Sequence, residues 1–198
     1  MKNQFSLSVS GRRSLFIWTL FCVIAGATFL AYTLTSLANG HGDFVMPLDD
    51  VYIHFQYARQ MAMGQPYIYN PGLPATSGAT SFLYPYVLAV GYLIGFQGLK
   101  LGLWAMGVGA LAFVLAMWLV YKLVRLLGTG EWVAVLVAVA FGLDGAVAWH
   151  FMSGMETGLV VLLTLGTLYA IIKVVTDENQ TLTPLILWAT GLALIRPE

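Results

Sequence analysis

Two adjacent carboxylates, Asp49 and Asp50, are the residues whose type and spacing most directly suggest chemistry. They lie in the longest polar interval of an otherwise apolar chain. Repulsion between two like charges favours proton uptake by one of them, which suits a general base that activates an acceptor hydroxyl. The pair could also bind a metal ion. The alternative is that it begins a helix, where carboxylates cap the first turn and complement the helix dipole.

A second acidic candidate is Glu156, in the sequence Ser153-Gly154-Met155-Glu156-Thr157 between two apolar segments. A carboxylate beside a membrane segment is costly, which makes it a functional candidate, although a glutamate that begins a helix can simply complement its dipole. Asp144 interrupts another apolar run. Because Gly142 and Gly145 flank it, Asp144 is either functional or marks a broken helix.

The third candidate group is Arg196-Pro197-Glu198, at the end of the last apolar segment. Arginine suits bidentate phosphate recognition. The alternative is that this basic residue flanks a membrane helix and simply extends its charge towards water. The aromatic residues around the polar interval are more typical of a membrane-interface belt than of a sugar platform: Tyr52, Phe55, Tyr57, Tyr67, Tyr69, Tyr84 and Tyr86.

The composition indicates an integral membrane protein. Of the 198 residues, 59% are hydrophobic and 9% are charged, against roughly 25% charged in soluble domains. The formal net charge of zero and the lack of a basic stripe argue against a nucleic-acid partner. Cys22 is the only cysteine, so neither an intrachain disulfide nor a multi-cysteine metal site can form. The three histidines are scattered and show no metal-ligand spacing.

The elements that must position these residues are predicted to be membrane helices. The fold class is therefore all-α, a polytopic transmembrane bundle forming one domain over residues 1–198. Its first loop, residues 38–80, is expected to contain a juxtamembrane helix over Asp50–Met63, ended by Gly64. The apolar segments are Leu15–Leu37, Phe82–Phe96 (perturbed by Pro85), Leu101–Val120, Trp132–Trp149, Leu159–Val175 and Leu182–Ile195.

Flanking charge predicts the orientation. Lys2, Arg12 and Arg13 precede the first apolar segment, which is longer than the roughly 7–15 apolar residues of a cleaved signal peptide. We therefore expect a retained first helix with a cytoplasmic N-terminus in the plasma (inner) membrane, and a first loop that faces the periplasm or exterior.

Six full crossings would conflict with that orientation. They would place Lys122 and Arg125 outside and would separate Glu156 from Asp49 and Asp50. The conflict disappears if one segment between Phe82 and Val120 is re-entrant or interfacial, which is the arrangement we predict.

In three ordered places the sequence resembles the GT-C superfamily of polytopic glycosyltransferases, nearest to the mycobacterial terminal arabinofuranosyltransferases and related bacterial enzymes. The first place comprises Asp49-Asp50-Val51-Tyr52-Ile53, Tyr57-Ala58-Arg59, Tyr69-Asn70-Pro71-Gly72 and Thr76-Ser77-Gly78-Ala79-Thr80-Ser81. The second is Ser153-Gly154-Met155-Glu156-Thr157, and the third is Arg196-Pro197-Glu198.

This resemblance implies inverting transfer of a sugar from a polyprenyl-phosphate donor to a glycan, lipid or protein acceptor of the cell envelope. Asp49 or Asp50 would be the base or, if a divalent metal is required, a metal ligand. Glu156 and Glu198 would be supporting acidic groups and Arg196 a phosphate contact. Further candidate substrate contacts in the first place are Tyr52, His54, Arg59 and Asn70. Family members are longer, so the chain is expected to be a truncated, N-terminal part that can be inactive alone.

Two other functions remain open. A transporter or flippase for a lipid-linked sugar would place polar groups near the bilayer midplane and commonly shows broken helices or repeats. Most acidic residues here lie at predicted helix ends, and no repeat is visible, which favours an interfacial active site. The third possibility is an inactive fragment that acts as a membrane partner.

Overall fold

The computed structural model describes residues 9–76, 78–177 and 180–196, and the described residues are helical with no strand, as predicted. The helices are α1 (Val9–Asn39), α2 (Asp49–Ala62), α3 (Tyr84–Leu93), α4 (Leu101–Leu126, preceded by a 3-10 turn at Gly98–Lys100), α5 (Glu131–Leu143), α6 (Gly145–Met152), α7 (Thr157–Thr176) and α8 (Thr183–Ile195).

Three of the helices are long and apolar enough to cross a membrane. They cover Gly11–Asn39, Gly98–Leu126 and Thr157–Thr176. At 1.5 Å per residue, even the 20 residues of the shortest extend about 30 Å, the thickness of a bilayer's hydrocarbon core. The helices α5 and α6 would make a fourth span if counted together, although they meet at an angle of 64°. These helices are compatible with a multi-pass membrane protein.

The segment predicted over Phe82–Phe96 is shorter than expected. Its helix, α3, has ten residues and is only about 15 Å long, half the thickness of the hydrocarbon core. Pro85 occupies the first turn, where its missing N–H costs no helical hydrogen bond. Gly95, at φ +108°, ends the helix. The geometry of α3 therefore disfavours six full crossings and fits the prediction that one segment in this region does not cross.

One end of the bundle, here named the carboxylate end, brings together segments that are distant in sequence. The Ser36 hydroxyl near the end of α1 donates to Val45 O before α2 and accepts from Val45 N. The backbone N–H of Leu83, just before α3, donates to Leu194 O in α8 at 3.0 Å. Gly154, between α6 and α7, lies against Met46.

The opposite end, here named the basic end, holds the start of α1, the α4–α5 connection and the last turn of α7. Arg13 contacts Glu131 at 3.6 Å, and Trp18 stacks on Trp118 with 4.5 Å between ring centroids. The basic side chains along these segments are Arg12, Arg13, Lys122, Arg125 and Lys173.

The junction between α5 and α6 explains Asp144. Its carboxylate accepts a hydrogen bond from Val147 N at 2.9 Å and so caps the first turn of α6. Asp144 is exposed on the surface of the bundle. Of the two interpretations left open by the sequence, the structure supports a broken helix, with the aspartate at the break.

Candidate functional site

The helix α2 packs one apolar face against the bundle and leaves the carboxylates of its first turn exposed. Val51, Phe55 and Ala58 are buried at helical spacing, whereas Asp49 and Asp50 are exposed. The prediction that one of these aspartates caps the helix is wrong. Leu48 is the N-cap without a side-chain hydrogen bond, and both aspartates lie inside the first turn, where their charge still complements the helix dipole.

A buried pair, His54 and Glu156, forms the centre of the candidate site. Each side chain is only 2% exposed, and His54 Nε2 lies 3.4 Å from Glu156 Oε2. This distance permits electrostatic attraction, but the arrangement does not make a hydrogen bond. A carboxylate buried to this degree is costly unless it is paired. The structure therefore joins the first and second sequence motifs at one point.

Glu156 reaches α2 because of the tight turn between α6 and α7. Gly154 adopts φ +81°, a left-handed conformation that favours glycine. A Cβ on this glycine would overlap Met46 and lie 3.2 Å from Val51 Cγ1, so the turn lies directly against the start of α2. The buried hydroxyl of Tyr84 donates to Gly154 O at 2.6 Å, which ties α3 to the same turn.

Thr80 connects the buried pair to the surface. Its hydroxyl donates to Glu156 Oε1 at 3.0 Å and lies 3.4 Å from His54 Nε2, although Thr80 itself is exposed. The ring of Tyr84 packs edge-on against His54, with 5.4 Å between ring centroids. Thr80 and Tyr84 were not predicted as site residues, although Thr80 belongs to the first motif and Tyr84 to the aromatic set.

Two polar atoms of the pair are left without a hydrogen-bond partner among the described residues: Glu156 Oε2 and His54 Nδ1. Burial lowers the pKa of His54, and the opposing attraction of Glu156 and Asp50 is the smaller effect. His54 is thus neutral near neutral pH. A neutral imidazole beside a carboxylate with free acceptor capacity can bind a hydroxyl group.

The structure distinguishes between the two aspartates. Asp50 precedes His54 by four residues, so the two lie on the same face of α2, and the charge of Asp50 acts on the imidazole. No such interaction links Asp49 to the pair within the described part of the chain. Asp50, His54 and Glu156 are consequently the predicted residues that come together.

The other predicted contacts lie elsewhere. The half-buried Tyr52 accepts a hydrogen bond from Met46 N at 2.9 Å, which is a structural role. Arg59 is exposed in a separate groove of about 270 Å³, on the face of α2 turned away from Asp50. Asn70 is exposed, and its carbonyl accepts from Leu73 N in a turn.

The third motif is only partly described. Arg196 is exposed and directly follows α8, whose Leu194 carbonyl binds the start of α3 at the carboxylate end. Glu198 lies outside the described residues. Arg196 therefore belongs to the same end of the bundle as His54 and Glu156.

A metal ion is one predicted ligand of Asp49 and Asp50. Residues 9–76, 78–177 and 180–196 contain no group of three or more His, Cys, Asp or Glu side chains arranged to hold a metal ion. A divalent metal at Asp49 and Asp50 stays a prediction.

Tyr67, Phe82 and Tyr86 form one cluster, with ring centroids 5.8–6.1 Å apart.

Comparison of the chain with protein-family models, with curated proteins and with solved structures gives no match.

Proposed function

We propose that the protein is a membrane glycosyltransferase that moves a sugar from a polyprenyl-phosphate donor to an acceptor of the cell envelope. The observation that supports it best is the convergence of the three motifs on the carboxylate end. Asp50, His54 and Glu156 come together, and the segment before Arg196 is hydrogen-bonded to the start of α3. Unrelated helix caps and flanking charges have no physical reason to gather at one end of the bundle.

The proposed site faces the outer side of the plasma membrane. Basic side chains flank membrane helices mainly on the cytoplasmic side. Among the described residues, five of them lie at the basic end and three, Arg59, Lys100 and Arg196, at the carboxylate end, so the basic end would be cytoplasmic, together with the N-terminus of α1. The carboxylate end would then lie at the outer lipid–water boundary, where the phosphate of a lipid-linked donor is located.

The residues at this end can carry out the transfer. Asp50 accepts the proton of the acceptor hydroxyl as the acceptor oxygen bonds to the anomeric carbon of the sugar. The bond from that carbon to the phosphate oxygen breaks, and its electron pair leaves with the polyprenyl phosphate, so the configuration inverts. Arg196 stabilises the leaving phosphate. Because the lipid holds the donor at a fixed depth, binding aligns the reacting atoms with little searching.

Replacement of the two aspartates separately tests the proposal. Asp50→Asn keeps the shape of the side chain but cannot take up the proton, and we expect transfer to fall by roughly 100-fold or more. Asp49→Asn is the matched control, because Asp49 is equally exposed but shows no interaction with His54 in the described residues. The measurement is transfer of labelled sugar from polyprenyl-phosphate donors in membrane vesicles.

Normal transfer by Asp50→Asn would contradict its assignment as the base. Normal transfer by both variants would remove the proposed role of the pair. Movement of intact lipid-linked sugar across the vesicle membrane, without any transfer, would instead identify a transporter or flippase.

A further inference from the structure

The hydroxyl of Thr80 occupies an unusual position. Thr80 as a residue is exposed, yet its hydroxyl makes hydrogen bonds with both members of a pair whose side chains are 98% buried: 3.0 Å to Glu156 Oε1 and 3.4 Å to His54 Nε2. Within the described part of the chain, no other hydroxyl is bonded to these two side chains. A molecule that approaches the pair from the side of Thr80 therefore meets this hydroxyl first.

The chemistry of the pair matches a hydroxyl group. A carboxylate only accepts hydrogen bonds, whereas a neutral imidazole donates at one nitrogen and accepts at the other. A hydroxyl both donates and accepts, so it can satisfy both partners at once, as Thr80 does. The unsatisfied Glu156 Oε2 can accept a hydrogen bond from a second hydroxyl. Two adjacent hydroxyls are a general feature of sugars.

Thr80 can leave this position without a large movement of the backbone. The chain is held on both sides of it, because Gly78 N donates to Tyr57 OH at 3.1 Å and Tyr84 N donates to Ser81 Oγ at 3.0 Å. Rotation of the Thr80 side chain to another staggered conformer is sufficient to withdraw its hydroxyl from Glu156.

We propose that Glu156 and His54 form a subsite for a sugar with two adjacent free hydroxyls, and that Thr80 Oγ1 occupies the place of one of them until the sugar binds. This inference rests on the proposed function for its choice of a lipid-linked sugar as the ligand. It assigns Glu156 to sugar recognition, separately from the proton transfer assigned to Asp50.

Removal of the Thr80 hydroxyl tests this subsite through the direction of the effect. Valine has nearly the same shape as threonine but no hydroxyl, so the side chain of Thr80→Val cannot make the hydrogen bond to Glu156. The probes are short polyprenyl phosphates carrying arabinofuranose, mannose or glucose, and the bare polyprenyl phosphate. Their binding is measured on the purified protein in lipid nanodiscs by intrinsic tryptophan fluorescence. We expect Thr80→Val to bind the best sugar-bearing lipid roughly tenfold more tightly, the value of one hydrogen bond to a charged group, with no change for the bare lipid.

Two further variants are controls, and a third tests Glu156 directly. Thr80→Ser keeps the hydroxyl and is expected to bind like the unaltered protein. Thr19→Val removes a hydroxyl that bonds only to its own helix, at Leu15 O, and is expected to change nothing. Glu156→Gln is expected to remove most of the preference for sugar-bearing lipid over bare lipid.

Unchanged or weaker binding of the sugar-bearing lipid by Thr80→Val would overturn the subsite. So would a failure of the unaltered protein to distinguish any of the three sugar-bearing lipids from the bare lipid. Tighter binding by Thr80→Val, together with no sugar transfer by the unaltered protein in membrane vesicles, would support the subsite and contradict the glycosyltransferase instead.

Discussion

At the scale of single residues, the buried pair His54 and Glu156 differs in kind from the exposed pair Asp49 and Asp50. The aspartates are exposed, so their carboxylates are open to an approaching acceptor hydroxyl. The side chains of His54 and Glu156 are buried and contact protein atoms in place of water. Loss of either one leaves the other as a buried polar group without its partner. Asp50 is therefore suited to a proton transfer, and Glu156 to a fixed binding role.

The lowered pKa of His54 predicts a dependence of stability on pH. The unfolded chain takes up a proton on this histidine near pH 6.5, whereas the folded protein does so only at lower pH. In that window the unfolded state binds more protons, so the pair's contribution to stability is lost as the pH falls below about 6.5. We expect the melting temperature in detergent to fall more between about pH 7.5 and about pH 5.5 for the unaltered protein than for His54→Gln. Equal decreases in the two proteins would contradict this prediction.

Part of the site was predictable from residue types. Asp50 and Glu156 are candidates because acidic groups are conspicuous in an apolar chain, and His54 is a candidate because it lies in the first place of the resemblance. Their grouping was not predictable, since His54 and Glu156 are more than a hundred residues apart. The role of Thr80 was hidden for another reason. A threonine in a loop has no sequence pattern that reveals a carboxylate beneath it.

At the scale of helices, apolar runs predicted where helices lie but not how each run is divided. The segments that became α1, α4, α7 and α8 were located to within a few residues of one end or both. The run over Trp132–Trp149 is divided at Asp144, and the run over Phe82–Phe96 is shortened to α3. Both changes come from local chemistry, a side-chain cap and a proline near the helix start, which hydropathy does not register.

The turn between α6 and α7 gives a prediction at this scale. Gly154→Ala must force an L-residue into φ +81° and push a methyl group into Met46, so we expect a loss of about 2–4 kcal/mol of stability. Gly72→Ala is the matched control. Gly72 has a similar φ of +84°, but nothing lies within 4 Å of the added methyl group, so only about 1–2 kcal/mol is expected.

Thermal unfolding of the two variants in the same detergent measures the difference. A melting temperature that falls equally in both would show that the contact of the turn with α2 contributes nothing, which would weaken the placement of Glu156.

At the scale of the whole molecule, basic side chains are more numerous at one end. Among the described residues, the basic end holds five arginines and lysines with two acidic residues, Glu131 and Asp177, whereas the carboxylate end holds Asp43, Asp49, Asp50 and Glu156 with three basic residues, Arg59, Lys100 and Arg196. The N-terminal charges were sufficient to predict an orientation. The agreement of Lys122, Arg125 and Lys173 with that orientation depends on α3 not crossing, because each full crossing reverses the sides of everything that follows it.

Cysteine labelling can check this orientation, since Cys22 is the only native cysteine. In a Cys22→Ser background, Gln65→Cys places a thiol on the exposed loop after α2, and Leu127→Cys places one on the α4–α5 connection. We expect a membrane-impermeant maleimide to label intact cells at position 65, and to label position 127 only after permeabilisation. Labelling of position 127 in intact cells would contradict the orientation.

The distance in sequence between His54 and Glu156 has a consequence for biosynthesis. Ribosomes add about 5–20 residues per second, so the imidazole is made on the order of ten seconds before the carboxylate that attracts it. During this interval α2 has no α6–α7 turn to cover it. The His54–Glu156 pair is thus formed late in translation, and a nascent chain arrested before Glu156 would carry the helices α1 to α6 but not this pair.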